Sequence, residues 1–77
     1  MDRAGRTEPY TEIGIKRMKC VRCGKPASQQ WAACADGGLW RPICLSCDVI
    51  LNRLVLQFML DPDTDEKIKT YSREMQG

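Results

Sequence analysis

Two pairs of cysteines, each with two residues between its members, carry the clearest chemistry in this sequence. Cys20 and Cys23 form the first pair and Cys44 and Cys47 the second, with twenty residues between the pairs. Four thiolates with this spacing are typical ligands of one tetrahedral zinc ion. We therefore predict one structural Zn²⁺ ion. Two disulfides or an iron–sulfur cluster are alternatives that the spacing leaves open.

The residues needed for common enzymatic mechanisms are missing. The 77 residues include no histidine, which rules out the usual base for activating a serine or cysteine nucleophile. There is no glycine-rich phosphate loop, and four thiolates would leave no open position on the metal for water. We therefore expect a protein that is not an enzyme and has no small-molecule substrate.

The charge of the chain is unevenly distributed. The formal net charge is +2, but four thiolates (−4) and one zinc ion (+2) would bring the metal-bound protein near zero. Residues 1–30 hold seven basic and three acidic side chains, and residues 61–77 hold three basic and five acidic ones. The basic side chains near the first pair either bind nucleic-acid phosphates or offset the charge of the thiolates. The candidate phosphate-binding residues are Lys16, Arg17, Lys19, Arg22, Lys25 and Arg41.

Three segments are predicted from composition. Residues 1–15 mix charged residues with Gly, Thr and Pro, which indicates a flexible N-terminal arm. Residues 16–61 contain both cysteine pairs and form the zinc-binding domain. Residues 62–77 are predicted to be a linker and a short C-terminal helix. A chain of this length needs an additional source of stability, such as a bound metal ion, because so small a core supplies little.

A β-hairpin is predicted between the cysteine pairs. Residues 28–34 have weak strand character, Asp36-Gly37-Gly38 is a turn signal, and residues 39–43 read as the returning strand. Because Pro42 cannot donate a ladder hydrogen bond, the returning strand should be an edge strand or end there.

Three further side chains in this hairpin need an assignment. Trp31 and Trp40 either form the core that covers the metal or present surfaces on which bases stack. Cys34 lies away from both pairs, and we expect it to be a small buried apolar residue.

The second cysteine pair is predicted to open a helix that continues to residue 60 and stops before Pro62. Helical periodicity divides its apolar residues into two stripes. The wider stripe is the predicted core face and contains Ile50, Leu51, Leu54, Val55, Phe58 and Met59. The narrower one, predicted as a partner or dimer surface unless the last helix covers it, contains Val49, Leu56 and Leu60.

The order of these elements resembles that of treble-clef zinc fingers. A knuckle, a hairpin and a helix that starts with the second cysteine pair occupy residues 20–60. The resemblance implies a small zinc-stabilised α+β fold, here a treble clef plus a short C-terminal helix.

Two subfamilies are similar in detail. GATA-type DNA-binding fingers have a Trp eleven residues after the first cysteine, as Trp31 follows Cys20 here. They follow that Trp with two arginines, whereas this chain has Ala32 and Ala33, and their helix is polar where this one is aliphatic. HNH-type nucleases also hold a treble clef with paired cysteines, but their chemistry requires histidine. Residues 40–48 are similar to small zinc-finger proteins of phages and prophages.

These observations predict a non-enzymatic zinc-binding interaction module, such as a phage-encoded regulator or inhibitor. It would act through contacts with a protein partner or a second copy of itself. The alternative is a nucleic-acid-binding zinc finger that uses the basic first knuckle. The N-terminus lacks the apolar segment of a secretory signal, and the apolar run 49–60 is too short to span a bilayer. We therefore expect a cytoplasmic protein of a bacterium or phage-infected cell.

Overall fold

Short helices and one two-stranded sheet alternate in the computed structural model, which describes residues 5–76. Contacts divide the chain into two units, one ending at Leu45 and one beginning at Ser46. The elements, in chain order, are α1 Glu12–Lys16, β1 Gln29–Ala32, a 3₁₀ turn Cys34–Asp36, β2 Trp40–Ile43, α2 Leu45–Phe58 and α3 Thr64–Gln76.

The antiparallel hairpin predicted from the sequence is confirmed. Gln29 pairs with Ile43 at one end of the ladder, and Ala32 pairs with Trp40 at the other. Gly37 follows the 3₁₀ turn with a φ of 73°, a left-handed conformation that favours glycine. The hairpin is the only sheet in the described part of the chain, so Pro42 lies in an edge strand.

The end of the hairpin is closed by an ion pair. The Arg41 guanidinium donates from Nε to Oδ2 of Asp36 at 2.5 Å and from a terminal nitrogen to Oδ1 at 2.7 Å. The pKa of Arg41 is raised, first by this hydrogen bond and then by the charge of Asp36. Two parallel hydrogen bonds fix the guanidinium plane, so they hold the Arg41 side chain against Asp36 in the hairpin.

The segment predicted as a flexible arm carries local structure in its described part. α1 begins after Thr11, whose hydroxyl accepts from the N–H of Gly14 at 3.0 Å, and it buries Ile15. Arg6 exchanges two backbone hydrogen bonds with Trp40, at 3.2 and 2.6 Å. The first four residues of the arm lie outside the described residues. The predicted flexibility and boundary of the arm stay predictions.

Cys34 differs from expectation, and the two tryptophans differ from each other in exposure. Cys34 starts the 3₁₀ turn and is exposed, so the prediction that it is buried was wrong. Trp31 is 41% exposed, whereas Trp40 is half-buried. Side chains of successive strand residues point to opposite faces of the sheet. In so short a chain, a two-stranded sheet can bury only one of its two faces. Trp31 is therefore not part of the core.

The second unit is a pair of helices, α2 and α3, as predicted, but α2 ends at Phe58 and not at residue 60. Ile68 of α3 is 4% exposed, and the Tyr71 hydroxyl donates to the carboxylate of Asp48 on α2. Arg53 of α2 contacts Asp65 of α3 at 2.6 Å. α3 therefore packs on the side of α2 that carries Asp48 and Arg53. Neither helix, nor any other in residues 5–76, is long and apolar enough to cross a membrane.

The wide apolar stripe predicted as the core face of α2 lies largely on the surface, so that prediction was wrong. Ile50 is 41% exposed, Leu54 57%, Phe58 87% and Met59 59%. Only the remaining two members, Leu51 and Val55, are half-buried. The period of a helix shows which residues share a face, but the position of α3 decides which face is covered.

The narrower stripe of α2 is partly covered. Val49 and Leu56 are half-buried, and Val49 lines a shallow pocket with Ile68 of α3. Leu60 is 87% exposed. The partner surface predicted at these three residues stays a prediction, with Leu60 as its most accessible member.

Candidate metal centre

The four paired cysteines converge on one point. Their sulfur atoms all lie within 4.8 Å of one another. A tetrahedral ion with bonds of about 2.3 Å to sulfur places its ligands about 3.8 Å apart, so this separation fits a single ion. No disulfide joins the five cysteines, all of which lie within the described residues, and the 3.4 Å between the sulfurs of Cys23 and Cys44 is far longer than a disulfide bond. The four thiols are therefore placed to hold a metal ion.

The first pair lies in a tight knuckle. The N–H of Cys20 donates to the carbonyl of Lys25 at 2.7 Å, and the N–H of Gly24 donates back to the carbonyl of Cys20 at 2.9 Å. Gly24 has a φ of 80°, which an L-residue adopts only with strain. This turn aims the N–H of Arg22 at the Cys20 sulfur, 3.4 Å away.

A backbone hydrogen bond joins the knuckle to the hairpin, and the hairpin leads directly into the second pair. The N–H of Val21 donates to the carbonyl of Pro42 at 3.0 Å, and Pro42 is fully buried. Cys44 directly follows β2, so this contact brings the first pair next to it. Cys47 lies in the first turn of α2, where the helix dipole favours a negatively charged ligand.

The environment of Cys20 favours its thiolate. Burial opposes ionisation, but backbone N–H groups of Cys23, Cys44 and Arg22 point at the sulfur. Together with the side chain of Cys23, they lower the pKa of this thiol from 9.0 to about 6. Three of the four cysteines are buried, and Cys23 is exposed. A largely buried set of sulfurs that includes a thiol of lowered pKa suits a thiophilic divalent metal.

Five of the six candidate phosphate-binding residues are exposed around the knuckle. Arg41 is the exception, because it is half-buried and bound to Asp36. Within residues 5–76, Lys19 and Lys25 form no ion pair with a carboxylate. The exposed members are Lys16, Arg17, Lys19, Arg22 and Lys25.

Sequence reasoning missed the buried polar contact beside the metal centre. Asp48 immediately follows Cys47 and is 4% exposed. Its carboxylate accepts the hydroxyl of Tyr71, and its backbone carbonyl accepts from the amide of Asn52 at 2.8 Å. Burial, the hydrogen bond to Asp48 and the charge of Asp48 raise the pKa of Tyr71 to about 12. The only signal in the sequence was an acidic residue within the first turn of a largely apolar helix.

Comparisons with models of protein families, with curated proteins and with solved structures found no match. The similarity to GATA-type fingers, HNH-type nucleases and small phage proteins therefore stays a resemblance. What the structure shows is a small α+β chain with a four-cysteine cluster of metal-binding geometry. Its function is inferred from its own residues and their geometry.

Proposed function

We propose that this protein is a zinc-stabilised interaction module of the treble-clef type and not an enzyme. The metal would be structural, because four thiolates complete a tetrahedral shell around zinc. The distance between the sulfurs supports a single ion over a multinuclear iron cluster, which needs more room between its ligands. The order of knuckle, β1–β2 hairpin and α2 supports the treble clef.

The exposed apolar surface of α2 carries the functional proposal. Three of its residues lie on one face of the helix, since Ile50, Leu54 and Phe58 are four residues apart. Met59 and Leu60, in the turn that follows, are also exposed. Contiguous exposed apolar side chains on a soluble domain mark sites of protein contact. We call the exposed row formed by Ile50, Leu54 and Phe58 the α2 apolar surface.

To test the proposed protein binding, the zinc-loaded chain is immobilised and the protein that it retains is measured. Protein binding should be lost in Leu54→Asp, because a charge would have to be desolvated in the interface. Thr70→Asp, which places the same charge on an exposed position of α3, is the matched control. Retention that is equal for wild type and Leu54→Asp would contradict the proposal.

A second candidate function is nucleic-acid binding by the basic knuckle. Its support is the group of five exposed cations within residues 16–25. Binding of DNA or RNA would weaken steeply with salt, since each phosphate contact releases counterions. Neutralising Lys19, Arg22 and Lys25 together should reduce both the affinity and its salt dependence. Absence of binding at low salt would eliminate this candidate.

A further inference from the structure

A shallow pocket between α2 and α3 is lined by cationic and apolar side chains. We call it the α2–α3 pocket. Its volume is about 500 Å³, and all its lining residues belong to the unit that begins at Ser46. Among the described residues none of those that line it is acidic. The lining residues are Val49, Arg53, Ile68, Lys69, Ser72 and Arg73.

The cations of this pocket are a local feature that the charge of the segment hides. Residues 61–77 hold three basic and five acidic side chains, a net charge of −2. Lys69 and Arg73 are four residues apart on α3 and therefore share one of its sides. Glu66 and Glu74 line a separate pocket with Tyr71. The two cations are thus placed on a different side of α3 from these two carboxylates.

The positive charge of the α2–α3 pocket is only partly neutralised. Within residues 5–76, neither Lys69 nor Arg73 forms an ion pair with a carboxylate. Arg53 contacts one oxygen of Asp65 at 2.6 Å, and the Asp65 side chain is 81% exposed. A guanidinium has five N–H donors, so this single contact leaves donors of Arg53 for a ligand. Three cations and the Asp65 carboxylate beside them give a net charge of +2.

The lining favours a short acidic peptide segment over nucleic acid. No aromatic residue is among those that line the pocket, so bases would have no ring to stack on. A long polyanion would also meet the carboxylates of Glu66 and Glu74 on the other side of α3, whereas a short segment would not. Val49 and Ile68 offer an aliphatic side chain a contact that a phosphate group does not use.

We propose that the α2–α3 pocket binds an acidic segment of a protein partner. Carboxylates of the segment would bond Lys69 and Arg73, and an aliphatic side chain would lie against Val49 and Ile68. Ser72 is half-buried in the pocket, and its hydroxyl adds a hydrogen-bond donor. This inference goes beyond the proposed function, because no residue of the pocket belongs to the α2 apolar surface.

Amide chemical shifts of the isotope-labelled, zinc-loaded full-length chain test this site. The probe is a synthetic peptide in which one leucine is flanked by aspartate and glutamate residues. At low salt it should shift the amides of residues 49–53 and 68–73, and its affinity should fall as salt is added. A peptide with serine in place of the leucine should bind several-fold more weakly, because it lacks the aliphatic contact.

Variants of the pocket separate the site from a general effect of charge. Lys69→Gln combined with Arg73→Gln should weaken peptide binding at least about fivefold, since two ion pairs are lost. Lys16→Gln combined with Arg17→Gln removes the same charge from exposed residues outside the pocket and should bind the peptide like wild type. Asp65→Asn should strengthen binding about twofold or more, because it removes the carboxylate that competes for Arg53.

Three outcomes would overturn the proposal. One is the absence of shifts in residues 49–53 and 68–73 at millimolar peptide and low salt. Another is equal peptide affinity of wild type and the variant with Lys69→Gln and Arg73→Gln. The third is a short DNA duplex that shifts the same amides at lower concentration than the peptide, which would make nucleic acid the ligand of the pocket.

Discussion

The carboxylate of Asp48 is buried and therefore needs a hydrogen-bond donor from the protein. The Tyr71 hydroxyl is that donor. Asp48 is 4% exposed, so no large part of its solvation can come from water. A buried acceptor whose partner is removed keeps its full desolvation cost. The Tyr71 hydroxyl therefore links α3 to the first turns of α2, next to Cys47 of the four-cysteine cluster.

We expect Tyr71→Phe to lower the free energy of unfolding by about 1–3 kcal/mol, because it removes this donor and leaves the ring in place. Urea denaturation of the zinc-loaded protein measures the effect. Tyr10→Phe is the matched control, since Tyr10 bonds Gln30 only through its backbone groups in the described contacts. Equal stability of Tyr71→Phe and Tyr10→Phe would contradict the role of the buried hydroxyl.

The same hydroxyl should titrate at unusually high pH. Tyr71 is the only tyrosine left in Tyr10→Phe, so the tyrosinate absorbance of that variant reports its pKa. The expected midpoint is about 12 in the folded chain, against 10.0 for an ordinary tyrosine. Because the folded state binds the proton more tightly, this stabilisation is complete below pH 10 and is lost as the pH rises towards 12. A midpoint that is the same in native and denatured protein would contradict the contact.

Among the elements, the first knuckle contains a residue in an unusual backbone conformation. Gly24 has a φ of 80°, and apart from its two chain neighbours no residue of the described part of the chain has an atom within 4 Å of the place where a Cβ would be. A substitution would therefore act through backbone strain and not through a clash. The knuckle positions both the Cys20 sulfur and the N–H of Arg22 that points at it.

Gly24→Ala should weaken zinc binding about tenfold, since strain of about 1–2 kcal/mol opposes the knuckle that the metal requires. Competition with a chelator of known affinity measures the change. Lys25→Ala is the control, because its exposed side chain can be removed without altering the turn. Unchanged zinc affinity in Gly24→Ala would show that the knuckle conformation does not matter.

Elements with strong local signals were predictable from the sequence. The Asp36-Gly37-Gly38 turn predicted the hairpin, and the spacing of the cysteines predicted the cluster. The face of α2 that is covered was not predictable, because a periodic apolar helix specifies faces without specifying the neighbour. Cys34 was predicted to be buried from its residue type alone, which ignores its place in the turn.

At the scale of the whole molecule, few apolar residues are buried, and the cysteine cluster supplies a large part of them. Among the described residues, seven hydrophobic residues are buried, and three of them are Cys20, Cys44 and Cys47. Hydrophobic burial alone gives little stability to a chain of this length. A structural zinc ion contributes apparent binding free energies of about 10–16 kcal/mol in small peptides. We therefore infer that folding of this chain depends on metal binding.

Zinc titration of the reduced, metal-free chain tests this dependence most directly. Native mass spectrometry gives the number of ions bound, and far-ultraviolet circular dichroism follows folding in the same samples. One zinc ion per chain is expected, with helical structure that appears as the ion binds and disappears when a chelator removes it. A chain that is equally folded without metal, or that binds no zinc when its cysteines are reduced, would contradict the account.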